Sequence, residues 1–330
     1  MDFLGKDIAP LGMGCWPIGG EMYDGDTPIG YSGTDDATSI RTIHAALDAG
    51  IRLFDTAAAY GAGHADRLLA QALRGRDDVV IVSKVGIPIN ETTKRLEIGT
   101  PATPDMILPQ IEACLRRLER DQIDVMLLHL NALPPAEALP LFEQMEIARE
   151  RGLIASYGWS TDMVRNVEAM AARPGFSTVE FARNMLIDAD AIQAVTAEHD
   201  LYRLIRSPLG MGMLTGRYSS RNPITANDIR KSGQVRTDYF EDGQPKPEFL
   251  AALDAARDLL TTAGRSLTQG ALCWLWAKDA HNIPVPGART VEQITDSAGA
   301  LAHGPLPADV MAEIDRHLPK SLILKGDQPR

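Results

Sequence analysis

The chain has little from which to build covalent or metal-held structure. Its 330 residues include three cysteines, Cys15, Cys114 and Cys273, with no CxxC spacing. That excludes a disulfide framework and a cysteine zinc site, and it predicts free thiols in a cytoplasmic protein with no metal. Long hydrophobic runs are missing too. Stretches such as Val125–Leu128 fall far short of the ~20 apolar residues a membrane helix needs. The N-terminus, Met1 to Asp7, lacks the charged-then-apolar pattern of a signal peptide. Positive charge is in deficit: 33 Lys and Arg against 44 Asp and Glu leave a net −11. This argues against nucleic acid and anionic membrane as partners, while leaving room for one local basic pocket. No GxGxxG turn opens a helix. Gly12-Met13-Gly14 runs on into Cys15-Trp16-Pro17, which sets a Rossmann reading aside.

What is present alternates. A hydrophobic content of 45% with 23% charged residues suits a globular chain with a substantial core. Short Val-, Ile- and Leu-rich runs predict strands at Leu11–Cys15, Ile51–Asp55, Val79–Lys84, Val125–His129, Ile154–Gly158, Thr178–Phe181, Leu201–Arg206 and Ile283–Pro286. Helical patterns separate them at 36–49, 64–74, 104–120, 136–151, 161–171, 189–199, 266–278 and 290–301. Further helices are expected at 247–263, before the eighth strand, and at 307–317. Buried strands joined by helices require right-handed crossovers and a parallel sheet. Eight such units in one chain predict an α/β fold, a (β/α)8 TIM barrel occupying 1–330 as a single domain. The stretch 219–247, polar and rich in Gly and Pro, is expected to serve an active site. Within it, Arg221, Arg230, Lys231 and Arg236, interleaved with Asp228, Asp238 and Glu241, read as a solvated face.

Chemistry-bearing residues gather at the strand ends. Asp55 closes the second strand and opens the run Asp55-Thr-Ala-Ala-Ala-Tyr60-Gly61; Lys84 closes the third and His129 the fourth. All fall on the C-terminal rim, where barrel enzymes build their sites. Ser160, Glu180, Arg206 and Gly287 fall there as well. An ammonium lowers a phenol's pKa, a carboxylate holds the ammonium, and an imidazole orients an oxygen beside the phenol. Each residue alone has a plainer reading: Asp55 as a helix N-cap, Lys84 as a solvated lysine, His129 as a core histidine, Tyr60 as a loop tyrosine. In register together they point to catalysis. Trp16 suits a substrate wall and simple packing equally, and Cys15 reads as a packed small residue.

The chain resembles the aldo-keto reductases over essentially its whole length. The matching segments are Gly12–Trp16, Asp55–Gly61, Ser83–Gly86, Leu127–His129, Gly158–Thr161, Arg206–Gly216 and Ile283–Arg289. The resemblance implies NADP(H)-dependent interconversion of a carbonyl and its alcohol, with NAD(H) the less favoured cofactor. It makes Tyr60 the general acid, Lys84 the group that depresses its pKa, Asp55 the holder of Lys84, and His129 the guide for the substrate oxygen. A shift of ~3 units in a phenol requires roughly 4 kcal/mol of electrostatic help. It assigns the pyrophosphate to Ser207, Pro208, Leu209, Gly210 and Gly212, where backbone N–H groups approach phosphate closely. It brings Arg217 and Arg289 to the cofactor's phosphates and Gln293, Asp296 and Ser297 to its adenosine end. Trp16, Asp55, Ser160, Thr161, Glu180, Arg206 and the run Pro286, Gly287, Ala288 complete the cofactor contacts it implies.

Four positions depart from the family's usual pattern. Glu180 replaces a glutamine at the nicotinamide carboxamide, Arg206 an aromatic residue under the ring, and Thr161 and Ser297 asparagines. Glu180 and Arg206 are expected to compensate as an ion pair, with the guanidinium flat on the ring. The expected partner is a small carbonyl or alcohol, and the expected assembly a monomer or weak homo-oligomer. The alternative is a nucleotide-binding regulatory or auxiliary subunit of the same fold. In those relatives the family's histidine is an asparagine, whereas His129 is present here.

Overall fold

The computed structural model describes residues 1–97, 102–219, 221–224, 228–231 and 238–328. Eight parallel strands follow one another in chain order around a barrel: β1 (Gly12–Gly14), β2 (Leu53–Asp55), β3 (Val80–Val85), β4 (Ile123–Leu128), β5 (Ile154–Ser160), β6 (Phe176–Ala182), β7 (Tyr202–Arg206) and β8 (Asn282–Pro284). The ring closes between the last and the first, where Gly14 bridges Gly287 and its N–H donates to the Pro286 carbonyl at 3.0 Å. Among the described residues ten α-helices lie outside: α1 (Asp36–Asp48), α2 (His64–Ala72), α3 (Pro104–Leu118), α4 (Pro135–Glu150), α5 (Val164–Met170), α6 (Asp190–Glu198), α7 (Pro247–Leu260), α8 (Leu267–Lys278), α9 (Val291–Gly299) and α10 (Ala308–His317). No helix among the described residues is long and apolar enough to cross a membrane.

The expected elements form, and where their ends differ the cause is local. The helix read from 161 begins at Val164 because the Thr161 hydroxyl and the Asp162 carboxyl are engaged in tying strand ends together. Asp35 caps α1 by accepting from the Thr38 N–H, and Ser266 with Gln269 makes a reciprocal capping box on α8.

The side-chain period of a strand is two, so one set of alternating residues points to the barrel axis. Leu53, Val80, Val82, Val125, Leu127, Leu204, Ile283 and Val285 form that inner cluster. Two residues beyond Leu53, Val82, Leu127 and Leu204 stand Asp55, Lys84, His129 and Arg206. The same alternation that fills the barrel therefore turns polar at its mouth. The opposite end is plugged by a hairpin pairing Asp2–Phe3 with Lys6–Asp7. Phe3 is wholly buried in the inner cluster, its ring 4.2 Å from that of Tyr202. Lys6 pins the plug from outside, donating to Asp124 and to the Val79 carbonyl, both at 2.6 Å.

Two mouth loops combine into one sheet. Tyr23–Asp24 and Thr27–Pro28, after β1, join Ile89–Asn90 and Arg95–Leu96, after β3, in four short strands. Arg95 spans them with an ion pair to Asp26 at 3.0 Å. Replacing Phe3 by Ala should leave a void at the closed end that these rigid strands cannot collapse into. The expected loss is about 3–5 kcal/mol of unfolding free energy in a guanidinium titration, with unchanged secondary structure by circular dichroism.

Candidate active site

Lys84 sits at the centre of the mouth with its side chain fully buried. Its Nζ is hydrogen-bonded to Asp55, lies 3.2 Å from the Thr56 carbonyl and 3.2 Å from the Tyr60 hydroxyl, and meets Glu180 Oε2 at 3.2 Å. An ammonium carries three protons. Asp55, Thr56 and Tyr60 take them, and Glu180 Oε2 is left with charge contact but no hydrogen bond. Because Tyr60 accepts from Lys84, its own O–H is available to donate elsewhere. Its ring meets His129 edge-on at 6.2 Å and lies along Trp16 at 6.3 Å.

The segment carrying Tyr60 is held from two sides. Beneath it, Thr56 donates to Asp66 at 2.8 Å, and Asp66, wholly buried, pairs with Arg117 of α3 at 2.9 Å. Arg117 also reaches Glu91 at 2.9 Å and the Cys114 sulfur at 3.0 Å. Above it, the loop after β1 presses on the backbone of Tyr60 and Gly61. A Cβ on Gly61, at φ +65°, would lie 1.6 Å from the Gly19 carbonyl oxygen, so only glycine fits.

A second cluster fixes the ends of β5, β6 and β7. Asp162 pairs with Arg206 and accepts from Asn131 Nδ2 and the Ala182 N–H, each at 2.8 Å. The expected Arg206–Glu180 pair is therefore replaced. Arg206 takes Asp162, from the turn after β5, while Glu180 faces Lys84 and accepts from Ser160 Oγ at 3.0 Å. Arg206 also acts on Glu180 through space. Neither Asp162 nor Asn131 was singled out in the sequence. The available signal was a carboxylate just past a strand end, as at Asp55, one residue beyond the Gly158–Thr161 match. Thr161 is fully buried, its hydroxyl donating to the Asn131 carbonyl at 2.6 Å and accepting from Met163 and Asn166.

The run after β7 folds into a cradle. Ser207, Gly210, Met211 and Gly212 all have positive φ, and a Cβ on Gly212 would strike the Tyr218 ring at 2.9 Å. Pro208 and Leu209 lie within it, and the Gly212 N–H donates back to the Leu209 carbonyl at 3.0 Å. Arg230 buttresses this turn by donating to the Met211 carbonyl at 2.7 Å and the Tyr218 hydroxyl at 2.5 Å, paired with Asp228. Arg230 is buried, which corrects the expectation of a solvated face at that residue; Arg221, Lys231 and Glu241 are exposed as expected, and Arg236 lies outside the described residues. Arg217 is exposed just beyond the cradle.

Across the mouth, the Arg289 guanidinium donates to the carbonyls of Ser32 at 2.9 Å and Gly33 at 3.2 Å and lies over Tyr31. Its N–H is received by Gln293 Oε1 at 2.8 Å. Pro286 and Ala288 are buried at the barrel seam, with Gly287 exposed between them. Asp296 is drawn to the start of α8, accepting from Ser266 Oγ at 2.7 Å and Gln269 at 3.2 Å, and Ser297 is buried beside it.

Burial dominates the proton equilibria. It pushes the Tyr60 phenol above its ordinary value; Lys84 opposes this, but Asp55 and Glu180 reinforce it. Lys84 does lower the phenol's pKa, as expected, but burial outweighs it and the net shift is upward. Burial, helped by Lys84 and opposed by Glu180, brings the His129 imidazole down to about 3. His129 is therefore neutral at physiological pH, able to donate from one ring nitrogen and accept at the other.

A buried ammonium touching a phenol, with a neutral imidazole at the phenol's edge, thus lies on the C-terminal rim of a (β/α)8 barrel. The chain belongs to the aldo/keto reductase family, whose model matches residues 10–319. It is 28% identical over 305 residues to aldo-keto reductase YhdN of Bacillus subtilis (strain 168), covering 88% of this chain and 84% of that one. It is 27% identical to the chloroplastic pyridoxal reductase of Arabidopsis thaliana, covering 98% and 87%. Its structure resembles that of the glycerol dehydrogenase AKR11B4 from Gluconobacter oxydans, with a TM-score of 0.79 at 26% identity, covering 94% and 91%.

The low pKa of His129 gives a signed prediction. Below pH 6.5 the unfolded chain protonates this histidine and the folded one does not. Stability present above that pH is lost as pH falls toward about 3. Replacing His129 by Asn should flatten the acid side of the stability curve by up to about 1.4 kcal/mol per pH unit within that window. Denaturant titrations at a series of pH values read the difference.

Proposed function

We propose that this chain, as a single barrel domain, is a cytoplasmic oxidoreductase using NADP(H) to interconvert a carbonyl, in an aldehyde, ketone or sugar, with its alcohol. The observation that carries this reading is Lys84 donating to Tyr60 at 3.2 Å with His129 against the same ring. The dinucleotide's end-on requirements are met by residues of this chain. The run from Ser207 to Gly212 turns through four residues of positive φ, the kind of backbone that forms anion-binding nests. Arg289 beside the start of α9, with Arg217 across the cradle, suits a 2′-phosphate better than a bare ribose. When bound, the nicotinamide supplies the hydride.

The protein's part is the proton and the fit. Tyr60 holds its proton through the neutral range and donates it to the carbonyl oxygen. Lys84 stabilises the phenolate left behind. Neutral His129 steers the oxygen toward Tyr60, and Asp55 fixes Lys84 so that its donor direction does not wander. Trp16 closes one wall against water. The presence of His129 in this arrangement favours turnover over a purely regulatory role.

Tyr60→Phe removes the proton donor and almost no contact area. Turnover of a reducible carbonyl should fall by about 10²–10⁴-fold while NADPH affinity, read by fluorescence titration, stays within twofold. Equal turnover in that variant would sink the reading. Cofactor choice is tested separately. Arg289→Ala should weaken NADPH binding by about 1.5–3 kcal/mol and leave NADH nearly unaffected. An equal loss for both would reopen the case for NAD(H).

A further inference from the structure

The mouth of the barrel carries an imbalance of charge that the mechanism above does not use. Three buried carboxylates, those of Asp55, Glu180 and Asp162, face two cations, Lys84 and Arg206. Asp162 and Arg206 pair with each other. Asp55 and Glu180 are left on one ammonium whose side chain is fully buried. Among the described residues, the other ionisable neighbours bring no positive charge: His129 is neutral, and Tyr60 and Cys15 hold their protons. Two buried carboxylates that share one countercharge do not both ionise; one proton stays with the pair.

We propose that Asp55 and Glu180 share one proton at neutral pH, and that this proton restores the Tyr60 hydroxyl by way of Lys84 after each carbonyl reduction. The second half rests on the functional reading given above. Geometry supports the route. Lys84 Nζ touches the Tyr60 oxygen on one side and both carboxylates on the other. The Oε2 of Glu180 receives no other hydrogen bond, so it can accept the proton that Asp55 carries. The two carboxyls are close enough to titrate as one unit, Asp55 held above the ordinary carboxylate range by burial and by Glu180. Glu180 ends below its ordinary value, because Lys84 and Arg206 together outweigh its burial.

The transfers balance. As hydride from the reduced nicotinamide reaches the carbonyl carbon, the Tyr60 O–H bond breaks and its proton forms the alcohol. A Lys84 N–H proton then passes to the phenolate, and the carboxyl pair returns a proton to the Lys84 nitrogen. Solvent reprotonates the pair before the next turnover. Glu180 is thus a positioning residue: its charge keeps the shared proton on Asp55, and it acts on the phenol only by way of Lys84.

Infrared spectroscopy of the whole protein at neutral pH reads the stored proton directly. A protonated carboxylic acid shows a C=O stretch that carboxylates lack and that moves on exchange into deuterium oxide. The wild type should show this band, and Glu180→Gln and Asp55→Asn should each lose it, because either change restores charge balance. Absence of the band in the wild type, or its survival in both variants, overturns proton sharing. For the relay, Glu180→Gln should lower kcat for carbonyl reduction about tenfold or more with the carbonyl KM within twofold, and Glu180→Asp should recover most of the loss. An unchanged kcat in Glu180→Gln overturns the relay. A wild type that shows the band but reduces no carbonyl overturns the functional reading and the relay together, and leaves proton sharing standing.

Discussion

A lysine with no exposed side-chain surface is the constraint on which the mouth of this barrel depends. An unpaired buried ammonium costs several kcal/mol, so folding requires a carboxylate within reach. Asp55 meets that requirement from the adjacent strand, and its register is fixed because Leu53, two residues back, must enter the barrel core. Packing and charge thus specify the same strand position. The phenol is then brought to the ammonium by the turn that follows Asp55. That turn is itself bolted to α3 through the buried Asp66–Arg117 pair.

The site is a consequence of the barrel's alternation more than of any single motif. Inward positions on β2, β3, β4 and β7 are apolar until the mouth, where Asp55, Lys84, His129 and Arg206 take the place of Leu or Val. Their relative positions are set by backbone ladders, which are stiff. The loops contribute walls and cradles. Rigid strand ends hold the reacting groups, and the longer loops after β1, β3 and β7 shape what can approach them.

This division explains what was legible in the sequence. The strands were readable because each is a short apolar run closed by a polar residue, and Asp55, Tyr60, Lys84 and His129 were readable because they end or follow such runs. The partners were not. Whether Arg206 meets Glu180 or Asp162 depends on which side chain leans toward which neighbour, and a sequence period of two gives the face without the lean. The direction of the Tyr60 shift was missed for a related reason. A lysine beside a phenol lowers its pKa only where burial does not outweigh it; here burial does, and Asp55 and Glu180 add to the rise. Arg230 was misread because a charged residue in a polar loop normally faces water, whereas here it supports the turn at Met211.

Glu180 and Arg206 depart together from the family's usual residues, and the structure couples them without a direct bond. Glutamine at 180 would leave Lys84 balanced by Asp55 alone, and an aromatic residue at 206 would leave Asp162 without its cation. With glutamate and arginine, both substitutions add charge of opposite sign to the same buried region, and Arg206 offsets part of the charge that Glu180 brings. Arg206 is fixed by Asp162 yet still lowers the pKa of Glu180 through space. One cation therefore serves two carboxylates at different distances. The net result keeps one carboxylate in excess around Lys84, and that excess holds the Tyr60 proton where a carbonyl oxygen can take it.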